Sequence, residues 1–148
     1  MTIEYVAGFF DGEGSIYISM RGSARSGQAV YRLSCAFANN SREVLEEIKR
    51  TIAIEGGGHF TEIKPRNNWK RSYRLVYGDS KALELIEKLL PHLFLKREQA
   101  LIATTFQQAR RRRGGIRKAN VVDFEQGCRT QIQDLNGRYS NKISTIGR

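Results

Sequence analysis

Residues that build cross-linked or histidine-based sites are scarce in this sequence, which has two cysteines, two histidines and one tryptophan among 148 residues. Cys35 and Cys128 lie far apart and lack Cys-x-x-Cys spacing, so we expect reduced thiols and neither a disulfide framework nor a zinc site. His59 and His92 are also isolated. This isolation argues against a nuclease that binds its metal through histidine.

Long apolar segments are missing as well. No run approaches the roughly twenty residues that a membrane-spanning helix needs, and the N-terminus does not have the pattern of a signal peptide. Gly56-Gly57-Gly58 is not a phosphate-binding P-loop, because no Gly-Lys-Ser/Thr sequence follows it. We therefore expect an intracellular protein that is not secreted and has no membrane partner.

Acidic residues are outnumbered by basic ones, 15 against 25, which gives a net charge of +10 and an isoelectric point near 10.0. Such an excess favours a polyanionic partner, because each neutralised phosphate releases counterions. Charge alone suits a basic ribosomal or chromatin protein equally well and indicates nothing about catalysis. The length is that of one domain with a sizeable hydrophobic core.

The segment at residues 6–14, VAGFFDGEG, predicts a short helix that ends abruptly before a strand. Thr2 is a plausible N-cap, and the glycines at positions 12 and 14 end the helix and leave Asp11 and Glu13 at its C-terminus. Carboxylates are disfavoured at that negative end, so a divalent cation such as Mg²⁺ is a candidate partner. The alternative is an ordinary acidic surface turn.

The apolar periodicity predicts, in order, helix, strand, strand, helix, strand, strand, helix. Each strand alternates apolar positions with polar ones, as in a sheet that is covered on one side and wet on the other. We expect Asp79 or Ser80 to cap the third helix, and a last helix to run from residue 120 or 121 to Leu135. The strands are predicted near residues 16–21, 31–38, 59–64 and 72–77.

The nonapeptide resembles the LAGLIDADG motif, since its small pair, two acids and final glycine are in register, and the chain thus resembles the LAGLIDADG homing endonucleases. The resemblance implies an α+β protein of the αββαββα fold, with a saddle-shaped antiparallel four-stranded sheet covered by helices on one face. It implies a single domain over residues 1–148, with a core at about 3–106 and a C-terminal helical extension at about 107–148.

In function, the resemblance implies a site-specific homing endonuclease that makes a metal-dependent double-strand break with 3′ overhangs and promotes intron mobility. Only one such motif is present, and single-motif members pair through this helix, so Ala7 and Gly8 are the expected homodimer contact. Two-fold symmetry then predicts a long, pseudo-palindromic DNA target. The host compartment would be the prokaryotic cytoplasm or the organelle that encodes the protein.

The resemblance also assigns the candidate active site. Glu13 matches the metal-binding carboxylate and Gly12 the position whose carbonyl reaches the metal, Mg²⁺ or a substituting Mn²⁺. Asp11 matches the first acid, which orients the site. The segment PHLFLKREQA at residues 91–100 resembles the family's Leu-Lys-x-x-Gln-Ala helix start, which assigns Lys96 to the pocket of the hydrolytic water. Asn40, or Ser41 in a register shifted by one, matches the polar residue that opens the second helix.

The open sheet face and its turns form the expected DNA-binding surface. In the family the face lies in the major groove, where Arg, Ser and Thr recognise base edges, while cations in the turns contact phosphates. The residues assigned to DNA binding are Tyr17, Ser19, Arg21, Arg25, Arg32, Ser34, Thr61, Lys64, Arg66, Lys70, Arg71, Ser72 and Arg74. The alternative function is a non-cleaving RNA maturase, with intron RNA as partner, or another nucleic-acid-binding protein on the same fold.

Overall fold

The computed structural model describes residues 1–23, 27–67, 69–111 and 118–146, without the side chains of Ser23, Arg111 and residues 138–146. The first helix, strand pair and second helix are followed by a second strand pair and three more helices, with one 3₁₀ turn at Leu90–His92. Their bounds are α1 Ile3–Glu13, β1 Gly14–Ser23, β2 Ala29–Asn39, α2 Arg42–Ile52, β3 His59–Ile63, β4 Ser72–Gly78, α3 Asp79–Leu89, α4 Arg97–Arg111 and α5 Ala119–Ile146.

The four strands form one antiparallel sheet in the order β1-β2-β4-β3. Ile16 pairs with Cys35 and Ile18 with Leu33, and all four side chains are buried. The polar residues between them lie on the opposite face because successive strand side chains alternate. The predicted αββαββα order and the division of the sheet into a covered and an open face are therefore confirmed.

The core lies between the covered sheet face and the helices. Phe37 in β2 packs edge-on against Phe10 of α1 and Tyr77 of β4, with ring centroids 5.0 and 6.5 Å apart. Ala7 belongs to the same core and is 0% exposed. The expectation that Ala7 contacts a second chain was thus wrong, because α1 turns this side chain toward its own sheet.

Two predicted helix boundaries were also wrong. Gly78, not Asp79 or Ser80, is the N-cap of α3, and no side chain caps that helix. The last helix does not stop at Leu135 but continues through Asn136 and Gly137 to Ile146. Tertiary contacts outweigh the turn propensity of the Asn-Gly pair, because the Asn136 side chain donates to the Ile16 carbonyl at 3.1 Å.

Helix α5 covers the outer edge of β1. Arg129 Nε donates to the Ile18 carbonyl at 3.2 Å, which satisfies a second backbone acceptor on β1, an edge strand of the sheet in the described ranges. Cys128 and Ile132 on the same helix are buried against the core. Within the part of the chain that the structure describes, no helix has the length and apolar character to cross a membrane.

Candidate active site and nucleic-acid interface

The end of α1 is joined to the start of α4 through Asp11. Its carboxylate accepts the backbone N–H of Phe94 at 2.8 Å and that of Lys96 at 3.0 Å. These groups precede α4, where unpaired N–H donors and the positive helix end favour an anion. Backbone donors of the protein itself therefore compensate the Asp11 carboxylate at the negative end of α1. An orienting role of Asp11 in catalysis stays a prediction.

Glu13 has different surroundings. It is the last residue of α1 and is exposed, and its carboxylate makes no hydrogen bond or ion pair with the described residues. The chain turns directly from Glu13 into β1 at Gly14, where a Cβ atom would overlap the Phe10 ring and carbonyl. Gly14 thus allows the close turn that leaves Glu13 at the edge of the open sheet face.

Lys96 lies beside both acids. Its Nζ donates to the Asp11 carbonyl at 2.6 Å, so the ammonium faces the C-terminal end of α1. Partial burial lowers the pKa of Lys96, and the negative charges of Asp11 and Glu13 oppose that shift. The assignment of Lys96 to the pocket of the hydrolytic water stays a prediction.

A pocket of about 510 Å³ opens between the end of α1 and α4. The residues that line it are Asp11, Gly12, Gly14, Ser15, Leu95, Lys96, Gln99 and Asn136. Sequence reasoning missed three polar members, namely Ser15, Gln99 and Asn136. The PHLFLKREQA segment contained Gln99, whereas nothing in the sequence indicated that a residue 120 positions after Ile16 returns to β1.

Asn40 does not line this pocket among the described residues. It is exposed just after β2, and the neighbouring Ser41 caps α2 by accepting the backbone N–H of Val44 at 3.4 Å. The structure therefore brings Asp11, Gly12 and Lys96 together and leaves Asn40 and Ser41 outside their pocket. A role of Asn40 beside the hydrolytic water stays a prediction.

The donor set at the end of α1 fits a magnesium ion that also binds its substrate. No cluster of three or more His, Cys, Asp or Glu side chains suited to a metal exists among the described residues. Mg²⁺ commonly takes only one or two protein carboxylates and completes its shell with water and substrate phosphates. The unpaired Glu13 carboxylate and the Gly12 carbonyl, at an exposed helix end, match this requirement.

The open sheet face contains the side chains expected on it, but they differ in accessibility. Arg74 lies opposite Thr61 in the β3–β4 pair, and Ser19 lies opposite Arg32 in the β1–β2 pair. Arg21 and Thr61 are exposed, while Tyr17, Ser19, Ser72 and Arg74 are half-buried. Ser34 is only 8% exposed, which leaves it little surface for a base.

The turn between β3 and β4 presents most of the cations assigned to phosphates. Lys64, Arg66 and Lys70 are exposed there, and Arg71 is also exposed but pairs with Glu62 at 2.9 Å. Sequence reasoning missed Trp69, which lies among them with 81% of its surface exposed. Arg25, the remaining predicted contact, lies outside the described residues.

One face of α1 is left largely uncovered by the described residues. Gly8 and Gly12, one helical turn apart, are both exposed, and a Cβ atom on either would meet nothing within 4 Å. Tyr5, one turn before Gly8, is 57% exposed. The surface available to a second chain is therefore this Tyr5-Gly8-Gly12 face, rather than the Ala7-Gly8 pair expected from the sequence.

The sequence matches the LAGLIDADG endonuclease family over residues 6–108. The chain belongs to this family. The match covers α1 through most of α4 and excludes α5, as expected from the resemblance of the core alone. A comparison with curated proteins finds no match.

Solved structures share the fold at low sequence identity. The archaeal intron-encoded homing endonuclease I-Vdi141I, complexed with DNA, is 21% identical, with a TM-score of 0.75 over 90% of this chain and 82% of that one. The homing endonuclease I-CvuI, in complex with its target in the presence of calcium, is 17% identical, with a TM-score of 0.57 over 88% and 94%. I-GzeII, a LAGLIDADG homing endonuclease in complex with its DNA target, is 17% identical, with a TM-score of 0.64 over 87% of this chain and 44% of its own.

Proposed function

We propose that two copies of this chain form a site-specific, Mg²⁺-dependent DNA endonuclease that cuts both strands of a long pseudo-palindromic target. The observation that supports cleavage is the difference between the surroundings of the two acids of α1. Asp11 is held by the backbone of residues 94 and 96, whereas Glu13 is exposed and unpaired among the described residues. A protein that only bound DNA would gain nothing from a free carboxylate close to phosphates.

The residues around Glu13 each have a part in hydrolysis. Glu13 and the Gly12 carbonyl would hold the metal, which supplies an activated water and offsets charge on the phosphate. Lys96, fixed by the Asp11 carbonyl at 2.6 Å, places its ammonium beside that charge. Asp11 keeps α1 and α4 at a constant separation, so that Glu13 and Lys96 approach the scissile phosphate together.

The homodimer follows from the number of acids and from the free face of α1. One chain provides one Glu13, and a double-strand break requires two phosphodiester bonds to be hydrolysed. The glycines at positions 8 and 12 allow a second α1 to approach closely. This chain covers 44% of I-GzeII, so a longer chain of the same fold has room for two such units.

Binding to DNA is supported by charge and shape. The net charge of +10 favours phosphates, and basic and polar groups line the open face between two hairpins. The relatives I-Vdi141I, I-CvuI and I-GzeII are DNA complexes. In a two-fold dimer, the active sites face phosphates across the minor groove, and this arrangement leads to short 3′ overhangs. Cutting an intron-free allele in this way would promote intron mobility.

Selection from a randomised duplex library tests the proposal. The purified protein is incubated with the library with Mg²⁺, with Mn²⁺ and with EDTA, and cut ends are sequenced. We expect discrete cuts with 3′ overhangs at a pseudo-palindromic sequence, only in the presence of metal. A folded dimer that binds one sequence but cuts none would contradict cleavage and favour the non-cleaving, maturase-like function.

A further inference from the structure

The carboxylate of Asp79 lies where β4 ends, between two arginines from opposite sides of the sheet. Arg32, on the open face, donates from Nε at 3.0 Å and from one terminal nitrogen at 2.7 Å to the same oxygen. The other oxygen lies 3.8 Å from Arg110 at the end of α4. Arg110 also donates to the Tyr31 carbonyl, so it is fixed to β2 independently of Asp79.

The backbone at Asp79 is strained. Its φ angle is +50°, in the left-handed region that residues other than glycine rarely adopt and keep only where the surrounding structure holds them. Asp79 also begins α3 without capping that helix. Helix capping therefore does not explain an acid at this position, whereas its contacts with the two arginines do.

The geometry leaves Arg32 able to contact DNA. Its side chain is 43% exposed, and the bonds to Asp79 use one edge of the guanidinium. Gly78 lies next to this guanidinium. A Cβ atom placed on Gly78 would be 3.7 Å from a terminal nitrogen of Arg32. The cluster of two arginines and one aspartate keeps a net positive charge, so that Asp79 orients Arg32 without making the site repel phosphates.

We infer that Asp79 is a positioning residue for base recognition, and that it holds Arg32 so that the free edge of the guanidinium binds a guanine in the major groove. This inference rests on the proposed DNA-binding function and adds a specificity determinant to it. Arginine binds guanine through O6 and N7 as a planar fork, so its recognition depends on orientation as well as charge. A guanidinium that is fixed on one edge loses less conformational freedom when the other edge binds.

The register of the sheet locates this guanine relative to the cleavage site. Arg32 pairs with Ser19, which follows Gly14 by five residues along β1. Five residues of strand span about 17 Å, the length of about five base pairs at 3.4 Å per pair. The guanine should therefore lie in the outer part of each half-site, about five base pairs beyond the pair next to Glu13.

Competition binding with single-base variants of the selected target, in Ca²⁺ or EDTA, separates orientation from charge. Arg32→Lys keeps the charge and removes the fork, whereas Asp79→Asn removes the partner charge and keeps a residue that tolerates positive φ. Glu46→Gln, which disrupts an exposed Arg42–Glu46 pair on α2, is the matched control. Thermal unfolding of each variant is measured in parallel.

We expect the wild type and Glu46→Gln to prefer guanine at one outer position by roughly 5- to 150-fold over the other bases. Arg32→Lys should bind with nearly unchanged salt dependence but without this preference. Asp79→Asn should reduce the same preference while it tightens binding to unrelated duplexes, because a negative charge is lost. A purely structural Asp79 would instead weaken all targets equally, in step with a lower melting temperature.

Two results would overturn the inference. If Arg32→Lys and Asp79→Asn keep the base preferences of the wild type at every position, Arg32 does not recognise a base under the control of Asp79, and the proposed endonuclease function is unaffected. If the folded wild type binds no duplex, the proposed function fails and this inference fails with it.

Discussion

Lys96 forms two hydrogen bonds with Asp11 at the end of α1. Its backbone N–H donates to the Asp11 carboxylate at 3.0 Å, and its ammonium donates to the Asp11 carbonyl at 2.6 Å. These two hydrogen bonds join segments that are 85 residues apart in sequence. The junction of Asp11 with Lys96 is called the corner below. Glu13 lies two residues beyond this corner, with its carboxylate exposed. The two acids of the motif therefore have different surroundings, and the proposed function gives only Glu13 a direct part in the chemistry.

Variants of these two acids should separate stability from cleavage. Asp11→Asn leaves one backbone donor without its acceptor and removes a charge-assisted bond, so the free energy of unfolding should fall by about 1–3 kcal/mol. Glu13→Gln changes an exposed, unpaired side chain, so the free energy of unfolding should stay within about 0.5 kcal/mol of the wild type. Urea denaturation measures both values.

Cleavage activity, unlike stability, should depend most strongly on Glu13. Glu13→Gln should abolish cutting while DNA binding is retained, because a metal ligand is lost and the phosphate contacts remain. Normal cleavage by Glu13→Gln would contradict the assignment of this residue, and unchanged stability of Asp11→Asn would contradict the role of the corner.

The sequence predicted the motif helix but could not distinguish the surroundings of its acids. Reasoning from the helix dipole treated Asp11 and Glu13 alike, since both stand at the negative end of α1. Their difference arises from residues 94–96, which the chain brings back only after two hairpins and two helices. The same limit applies to Asn136, whose Asn-Gly turn signal is overridden by a contact with β1.

The exposed face of α1, on which the proposed dimer depends, was predicted only in part. Ala7 and Gly8 are adjacent, and adjacent helical positions point about 100° apart, so that one is buried while the other is exposed. In contrast, the strands were located almost fully from the sequence, because an open sheet face makes polar and apolar residues alternate. Ion pairs such as Arg32–Asp79 cannot be predicted from that alternation, because it does not indicate which charged residues come together.

Gly8→Leu should weaken the dimer by placing a bulky side chain where two α1 helices meet. Gly127→Leu on α5 is the matched control, because Gly127 is also a helical, exposed glycine with nothing within 4 Å of a Cβ position. Sedimentation velocity over a concentration series should show a dimer for the control and a shift toward monomer for Gly8→Leu. Equal dimer stability in the two variants would rule out this face as the contact.

Trp69 should report DNA binding directly. It is the single tryptophan of the chain, it is 81% exposed, and it lies among the cations of the β3–β4 turn. Adding target duplex should change the intensity and wavelength of its emission. Trp69→Ala should weaken binding without changing the salt dependence, whereas Lys70→Ala should reduce the slope of log affinity against log salt by about one. Unchanged emission at saturation would place this turn away from the DNA.

A mixed dimer tests most directly whether each chain contributes one metal-dependent active site for one strand. Wild-type and Glu13→Gln chains with different affinity tags are co-expressed, and the dimer that retains both tags is incubated with Mg²⁺ and a supercoiled plasmid that contains the selected target. The account predicts nicked circles from the mixed dimer, linear DNA from the wild type and no product from the Glu13→Gln homodimer. Linear DNA from the mixed dimer at the wild-type rate would contradict it.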